Sequence, residues 1–230
     1  MKIRAELIAR TAIWLAALAA VLLLAAGTPR WPAAWLYLAE LGGCSLASGL
    51  WLAKHDPALL AERLRPPIQR RQERQERWDK LFIAAALIVW LAWLVLITLD
   101  AERYRWSALP LWLRIAGALG LLLSMALVHR TFQENKFTAP VVAIQTERGH
   151  RVVATGPYRL VRHPLYAGAV LNFFATPLML GSWLGLAATP LLIAGLAVRA
   201  VLEERTLSAK LAGYAAYRQS VRYRLIPGVW

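Results

Sequence analysis

A long apolar stretch near the end of the chain decides the fold: residues 166–202, YAGAVLNFFATPLMLGSWLGLAATPLLIAGLAVRAVL. A bilayer core needs about 20 apolar residues in a helix, and this stretch is nearly twice that length. The segment Gly181–Gly185 interrupts it with glycine and serine, which favour a tight turn. The stretch therefore predicts a helical hairpin in a membrane. Its first arm contains Pro177 and is expected to be short or kinked.

Four further apolar runs precede the hairpin, at residues 8–27, 33–53, 81–99 and 111–128. Each run is long enough to span a bilayer as a helix. Hydrophobic residues make up 59% of the chain and charged residues 17%, against about 45–50% and 25% in soluble domains. We therefore expect an all-α, polytopic membrane protein with about six transmembrane helices. The count falls to five if the first arm of the hairpin does not cross.

The positive charges predict the orientation in the membrane. Lys and Arg gather in segments 54–80 and 129–165 and in the tail after the hairpin, whereas the other two loops hold few. The positive-inside rule then places both termini and these segments in the cytoplasm, and a bacterial inner membrane is the expected location. A net charge of +14 would suggest nucleic-acid binding in a soluble protein. Here the charges flank apolar runs, and no nucleic-acid partner is expected.

Segment 54–80 is polar and rich in Arg, Gln and Glu. This composition is typical of an interfacial helix with a charged face, and a solvated connector fits it equally well. Pro66 and Pro67 are expected to break the segment into two parts. We divide the chain into N-terminal transmembrane helices at 1–128, which include this basic loop, and a catalytic region at 129–230. A cytoplasmic cofactor-binding loop, the hairpin and the tail form the second region.

The motif around the start of the hairpin indicates a binding site. Residues 161–168 read VRHPLYAG, and Pro164 suits the first turn of a helix, where its missing N–H costs nothing. A helix start presents unpaired backbone N–H groups that favour an anionic group. The hairpin arms are similar in length and should return Glu203 and Glu204 close to His163. A single cysteine and histidines without metal-ligand spacing predict no metal site.

Each of these pieces by itself is most often structural. Paired acids after a membrane helix commonly form an interfacial cap, and Tyr214 and Tyr217 alone would be typical of the aromatic belt at a membrane surface. The indication of a site comes from their order, with the hairpin between them.

These motifs resemble those of the isoprenylcysteine carboxyl methyltransferase family. The shared elements are Gly156-Pro157-Tyr158, RHPLYAG at 162–168, Glu203-Glu204, Gly213-Tyr214-x-x-Tyr217 and RLIP at 224–227. The family belongs to a wider group of integral membrane methyltransferases that includes phospholipid N-methyltransferases. The resemblance covers about residues 129–228. It implies methyl transfer from S-adenosylmethionine at the cytoplasmic membrane face.

The resemblance also implies roles for particular residues. The implied cofactor contacts are Tyr158, His163, Pro164, Tyr166, Gly168, Glu203, Glu204, Tyr214 and Tyr217. Arg162 and Arg199 are catalytic candidates because they could orient an acceptor carboxylate. Glu204 is a third candidate, because a nearby carboxylate could help to deprotonate a thiol or an amine. Asn135 and Lys136 could also line the site.

The methyl acceptor is expected to be lipophilic: a small molecule, a lipid-modified acceptor or a membrane lipid. The first candidate is the carboxylate of an isoprenylcysteine-like compound, which is ionised at neutral pH and needs no base. A phospholipid amine and a small thiol are the alternatives. A membrane scaffold that keeps the fold without activity is a non-enzymatic alternative. A transporter is a third possibility, and it would favour polar or ionisable groups at mid-membrane. The first four predicted spans contain few such groups, and Glu40 in the second span is the main exception.

Overall fold

The computed structural model describes residues 2–64, 77–138 and 149–230. These ranges contain helices and no strand, so the predicted all-α class is confirmed. The helices are α1 (Lys2–Ala26), α2 (Pro32–His55), α3 (Pro57–Leu64), α4 (Arg77–Thr98), α5 (Leu111–Glu134), α6 (Pro164–Leu180), α7 (Trp183–Lys210) and α8 (Tyr214–Ser220). A π-helical turn, Leu99–Arg103, extends α4, and a 3₁₀ turn, Gly156–Arg159, precedes α6.

Five of these helices are long and apolar enough to cross a membrane, judged by length and composition: α1, α2, α4 with its π-helical extension, α5 and α7. The chain is therefore an integral membrane protein with several spans, as predicted. The remaining apolar helix, α6, has 17 residues and a length of about 25 Å. It begins beside the end of α7 and finishes beside the end of α4. A crossing by α6 stays a prediction.

The turn between α6 and α7 is tighter than predicted. Gly181 ends α6 with a φ of +95°, in the left-handed region that glycine adopts most readily. The side chain of Ser182 accepts a hydrogen bond of 2.8 Å from the backbone N–H of Gly185 and so caps α7. Because this cap allows α7 to begin at Trp183, the predicted turn at 181–185 shortens to two residues.

A buried carboxylate holds this turn against the end of α4. Asp100 is fully buried, and its Oδ2 accepts hydrogen bonds from the hydroxyls of Ser107 and Ser182, both at 2.6 Å. The same oxygen accepts the backbone N–H of Leu184 at 3.1 Å. We call this end of the bundle the turn end. The opposite end, where α6 begins and α7 finishes, is the cavity end.

Small residues bring α5 and α6 into close contact. A Cβ placed on Gly117 would lie 2.3 Å from the backbone N of Met179, and one on Gly168 would lie 2.9 Å from Cγ2 of Val128. Ser124 donates a hydrogen bond of 2.8 Å to the carbonyl of Gly168. Membrane helices commonly pack through such small side chains, which allow their backbones to approach. This packing fixes the position of α6 relative to α5.

The basic segment 54–80 contains a helix, as predicted, but a shorter one. Helix α3 covers Pro57–Leu64, and the Asp56 carboxylate accepts a hydrogen bond of 2.8 Å from the backbone N–H of Leu59 at its start. The interfacial position of this helix stays a prediction. The predicted break at Pro66 and Pro67 lies outside the described residues.

Candidate functional site

The hairpin brings its two ends together at the cavity end, as the arm lengths predicted. Nε2 of His163 lies 3.2 Å from Oε1 of Glu204, although the two residues are 41 positions apart. The tail runs beside them, because the backbone N–H groups of Arg162 and His163 donate to the carbonyls of Tyr223 and Arg224, both at 2.9 Å. The start of α6, the end of α7 and the tail therefore form one unit.

Glu204 is the centre of a buried charge network. Only 2% of this residue is exposed, and its carboxylate accepts hydrogen bonds from Nε of Arg162 at 2.6 Å and from Nε of Arg224 at 3.0 Å. Nη1 of Arg162 also donates to the carbonyls of Val221 and Arg222, at 2.7 and 2.8 Å. A buried ion needs several such partners to offset its lost hydration. Glu204 thus cross-links α6, α7 and the tail.

A cavity opens beside this network. Its volume is about 890 Å³ with the open mouth included. The lining residues are Asn135, Phe137, Thr138, His150, Arg151, Val152, Val153, Tyr158, Arg162, His163, Pro164, Leu165, Tyr166, Arg199, Glu203, Leu207, Leu211, Tyr214 and Tyr217. All the residues predicted for the site lie in this wall except Lys136, Gly168 and Glu204.

The structure places Gly168 and Glu204 away from the cavity wall. Gly168 faces α5, where its lack of a side chain allows close packing against Val128. Glu204 faces Arg162 and Arg224 and holds the network described above. The direct cofactor contacts that the resemblance implied for these two residues, and a role of Glu204 as a base, stay predictions.

Glu203 is the acidic side chain that lines the cavity. Its Oε2 accepts a hydrogen bond of 2.5 Å from the hydroxyl of Tyr166 and lies 3.9 Å from Nδ1 of His163. The rings of His163 and Tyr166 are stacked, with centroids 5.3 Å apart and planes inclined by 6°. The carboxylate therefore has a fixed position and stays partly open to the cavity, with 23% of its side chain exposed.

Three tyrosines, which we call the cavity tyrosines, form another part of the wall: Tyr158, which is half-buried, and Tyr214 and Tyr217, which are buried. Tyr158 accepts a hydrogen bond of 2.9 Å from Nδ2 of Asn135, and the hydroxyl of Tyr217 donates to the carbonyl of Tyr158 at 2.8 Å. Burial raises the pKa of all three phenols, and for Tyr214 the carboxylates of Glu204 and Glu203 raise the pKa further. They are therefore neutral hydrogen-bond donors at physiological pH.

The hydroxyl of Tyr214 is distinctive. Its oxygen is buried, and it makes no hydrogen bond to any residue in the described part of the chain. Leaving a buried phenol without a partner costs about 1–3 kcal/mol. Because Tyr214 lines the cavity, a ligand with a hydrogen-bond acceptor would satisfy this hydroxyl.

Arg199 lies in the wall and is paired with a residue that the sequence analysis did not single out. Its Nε and Nη2 both lie 3.0 Å from Oδ1 of Asp79, in the first turn of α4. Its guanidinium carbon is 5.5 Å from the ring centroid of Tyr166. The predicted role of Arg199 in orienting an acceptor carboxylate stays a prediction.

Several lining residues were not predicted. Leu207 and Leu211 follow Glu203 at intervals of four, so helical periodicity alone would have placed them on the same face of α7. The remaining ones lie in the loops before and after the undescribed segment 139–148, where no periodicity applies: Phe137, Thr138, His150, Arg151, Val152 and Val153. Leu165 was quoted within the motif but not assigned a role.

Comparison with known proteins shows which proteins this region is similar to. Residues 112–212 match the family model of the phospholipid methyltransferases. The match covers nearly all of α5 and the whole hairpin, which together position His163 and Glu203. No curated protein matches the chain. The region is thus similar to integral membrane methyltransferases, the wider group that the motifs indicated, and the match does not single out the isoprenylcysteine branch. The division of the chain at residue 128 stays a prediction.

Proposed function

We propose that the protein transfers a methyl group from S-adenosylmethionine to a lipophilic acceptor in the membrane. One observation carries the proposal: the region that matches the methyltransferase family lines a cavity with a fixed carboxylate, Glu203, and Tyr214, just beyond the matched region, adds a buried phenol whose hydroxyl contacts no described residue. The predicted orientation would open this cavity to the cytoplasm, where the cofactor is available.

The lining residues fit the chemical groups of this cofactor. Glu203 can accept hydrogen bonds from an ammonium group or from ribose hydroxyls, and Tyr214 can donate to a carboxylate or a ring nitrogen. The faces of the cavity tyrosines favour a cation such as a sulfonium. Val152, Leu207 and Leu211 provide apolar surface for a purine ring.

The chain's own task in this reaction is positioning. The cofactor supplies an activated methyl group, whose bond to sulfur breaks as an acceptor lone pair bonds to the methyl carbon, leaving a neutral thioether. Holding two reactants in line can supply a large part of the rate enhancement. The hydrogen bond from Tyr166 to Glu203 and the stacking of His163 on Tyr166 keep the wall in one arrangement.

Two acceptor classes are supported by different observations. The motif at 162–168 together with Glu203 and Glu204 favours the carboxylate of an isoprenylcysteine-like compound, which becomes a neutral ester without losing a proton. The family match favours a phospholipid amine. An amine must be uncharged to attack, so the ammonium group of the phospholipid must lose a proton beforehand. The methylated product then carries a positive charge. Glu203 is the carboxylate in the described wall that could receive it.

The first experiment measures binding of S-adenosylhomocysteine to the purified protein in detergent by calorimetry. We expect a dissociation constant in the micromolar range or below. Glu203→Gln should weaken it, whereas Glu102→Gln at the turn end, where the carboxylate pairs with exposed Arg105, should not. Absence of binding by the wild-type protein would refute the proposal.

The second experiment identifies the acceptor. Radiolabelled S-adenosylmethionine is incubated with N-acetyl-S-farnesylcysteine, with phosphatidylethanolamine, and with solubilised membranes of the source organism. A base-labile label on the first compound indicates a carboxyl ester, and a stable label on the second indicates an N-methylated lipid. A wild-type protein that binds the cofactor but labels nothing would exclude methyl transfer to a membrane acceptor.

A further inference from the structure

A completely buried acid lies beside the cavity without lining it. Asp79 is in the first turn of α4, and none of its surface is exposed. Nε and Nη2 of Arg199 both lie 3.0 Å from Oδ1 of Asp79. Removing one partner of a buried ion pair leaves an uncompensated charge, which is strongly unfavourable. Asp79 therefore holds the Arg199 side chain in one position.

Arg199 lies at the deep end of the cavity. The face of α7 that lines the cavity carries Arg199, Glu203 and Leu207 at intervals of four residues, and Leu211 follows directly after the helix ends. At 1.5 Å per residue, Arg199 lies about 6 Å further into the bundle than Glu203 and about 18 Å further than Leu211. In the predicted orientation, with the cavity end at the cytoplasmic face, the deep end is the part of the cavity nearest to the membrane interior.

At this depth Arg199 contacts the aromatic wall. Its guanidinium carbon lies 5.5 Å from the ring centroid of Tyr166 and 5.8 Å from that of Phe82, on α4. The same Tyr166 donates its hydroxyl to Glu203. The position of the guanidinium thus sets one side of the deep wall, and Asp79 sets the position of the guanidinium.

We infer that Asp79 is a positioning residue for methyl transfer and that it acts through Arg199 at the acceptor end of the cavity. This inference rests on the proposed function. A lipophilic acceptor arrives from the membrane, so its reactive end meets the deep wall, whereas the cofactor occupies the part nearer to the cavity tyrosines. A displacement of about 1 Å at such a wall can cost as much as 100-fold in rate. Loss of Asp79 should therefore lower turnover more than cofactor affinity.

The test compares Asp79→Asn, Arg199→Met and the double variant. Asp79→Asn is expected to lower kcat at least tenfold while the dissociation constant for S-adenosylhomocysteine stays within threefold of wild type. In the Arg199→Met background, Asp79→Asn should lower kcat no further, because its effect passes through Arg199. Turnover is measured with whichever farnesylcysteine, phosphatidylethanolamine or membrane preparation the wild-type protein methylates.

Asp100→Asn is the matched control, because Asp100 is an equally buried acid just beyond the other end of α4. It should lower the melting temperature and leave kcat unchanged. The inference is overturned if Asp79→Asn keeps wild-type kcat, or if it lowers kcat by the same factor in both backgrounds.

If Asp79→Asn does not fold, the double variant decides, since it removes both charges of the buried pair. The double variant should match the reduced kcat of Arg199→Met, and wild-type kcat in the double variant would overturn the inference. Failure of the proposed function is seen separately, as a wild-type protein that binds no cofactor or transfers no methyl group.

Discussion

The two adjacent glutamates should have different roles, and replacing each by glutamine separates them. Glu204 is buried, accepts hydrogen bonds from Arg162 and Arg224 and contacts His163. Glu203 lines the cavity and accepts a hydrogen bond from the hydroxyl of Tyr166. Glu204→Gln should therefore lower stability, and Glu203→Gln should lower cofactor affinity with little loss of stability.

The magnitudes follow from the contacts. Neutralising Glu204 leaves Arg162 buried without its charge partner, a loss of about 3–5 kcal/mol. Since 26% of the Arg224 side chain is exposed and can turn to water, we take the lower limit, about 3 kcal/mol. For chains of 150–250 residues this lowers the melting temperature by about 6–12 °C. Glu203→Gln weakens one hydrogen bond at a partly exposed site, about 1 kcal/mol, or 2–4 °C.

For Glu203→Gln, the loss of cofactor affinity should be larger than the loss of stability. A hydrogen bond from a cofactor group to a charged carboxylate contributes about 1.5–3 kcal/mol, so Glu203→Gln should weaken binding roughly 10- to 100-fold. The assays are thermal unfolding followed by tryptophan fluorescence in detergent and calorimetry with S-adenosylhomocysteine. A Glu204→Gln protein with an unchanged melting temperature would refute the reasoning, and so would a Glu203→Gln protein that loses as much stability as Glu204→Gln.

Three further outcomes are expected. Tyr214→Phe removes a hydroxyl that no described residue contacts, so it should weaken binding of S-adenosylhomocysteine about 3- to 10-fold in calorimetry without lowering the melting temperature; equal affinity would contradict a ligand contact. Gly117→Ala places a Cβ 2.3 Å from the Met179 backbone and should lower the melting temperature by several degrees, whereas Gly43→Ala, which meets nothing within 4 Å, is the neutral control. Because burial raises the pKa of the cavity tyrosines, these phenols should ionise at a higher pH than ordinary ones; a tyrosinate absorbance titration in which all seven tyrosines ionise together near pH 10 would contradict this.

Hydropathy predicted the helices well but not their ends. The run at 111–128 became a helix that continues to Glu134, and the run that finishes at Leu202 became one that continues to Lys210. Polarity marks where a helix can leave the apolar layer, but a helix continues until its backbone geometry changes. That change comes at Asn135 and Leu211, which both have extended backbone angles.

The site was predictable where one short motif or one helix face carries it. His163, Pro164, Tyr166 and Glu203 all lie in the wall as the motifs suggested. Asp79 was not predictable in this way, because it lies in the first turn of a helix 120 positions before its partner and belongs to no motif.

The sequence did not predict that the adjacent residues Glu203 and Glu204 have different surroundings. Glu203 and Glu204 form one motif, yet successive helical residues point about 100° apart, so one faces the cavity and the other faces the tail. Only the packed structure shows which of the two faces which, because that depends on the rotation of α7 against α6.

The hairpin is held at both ends, by hydrogen bonds to the Asp100 carboxylate at the turn end and by the Glu204 network at the cavity end. With both ends tied, its arms cannot spread apart to admit a ligand, so access has to come from the parts that neither tie restrains. Breaking the Asp100 tie should leave the chemistry intact while lowering the barrier to separating the arms, which makes the turn end a place where rigidity can be adjusted without touching the reaction.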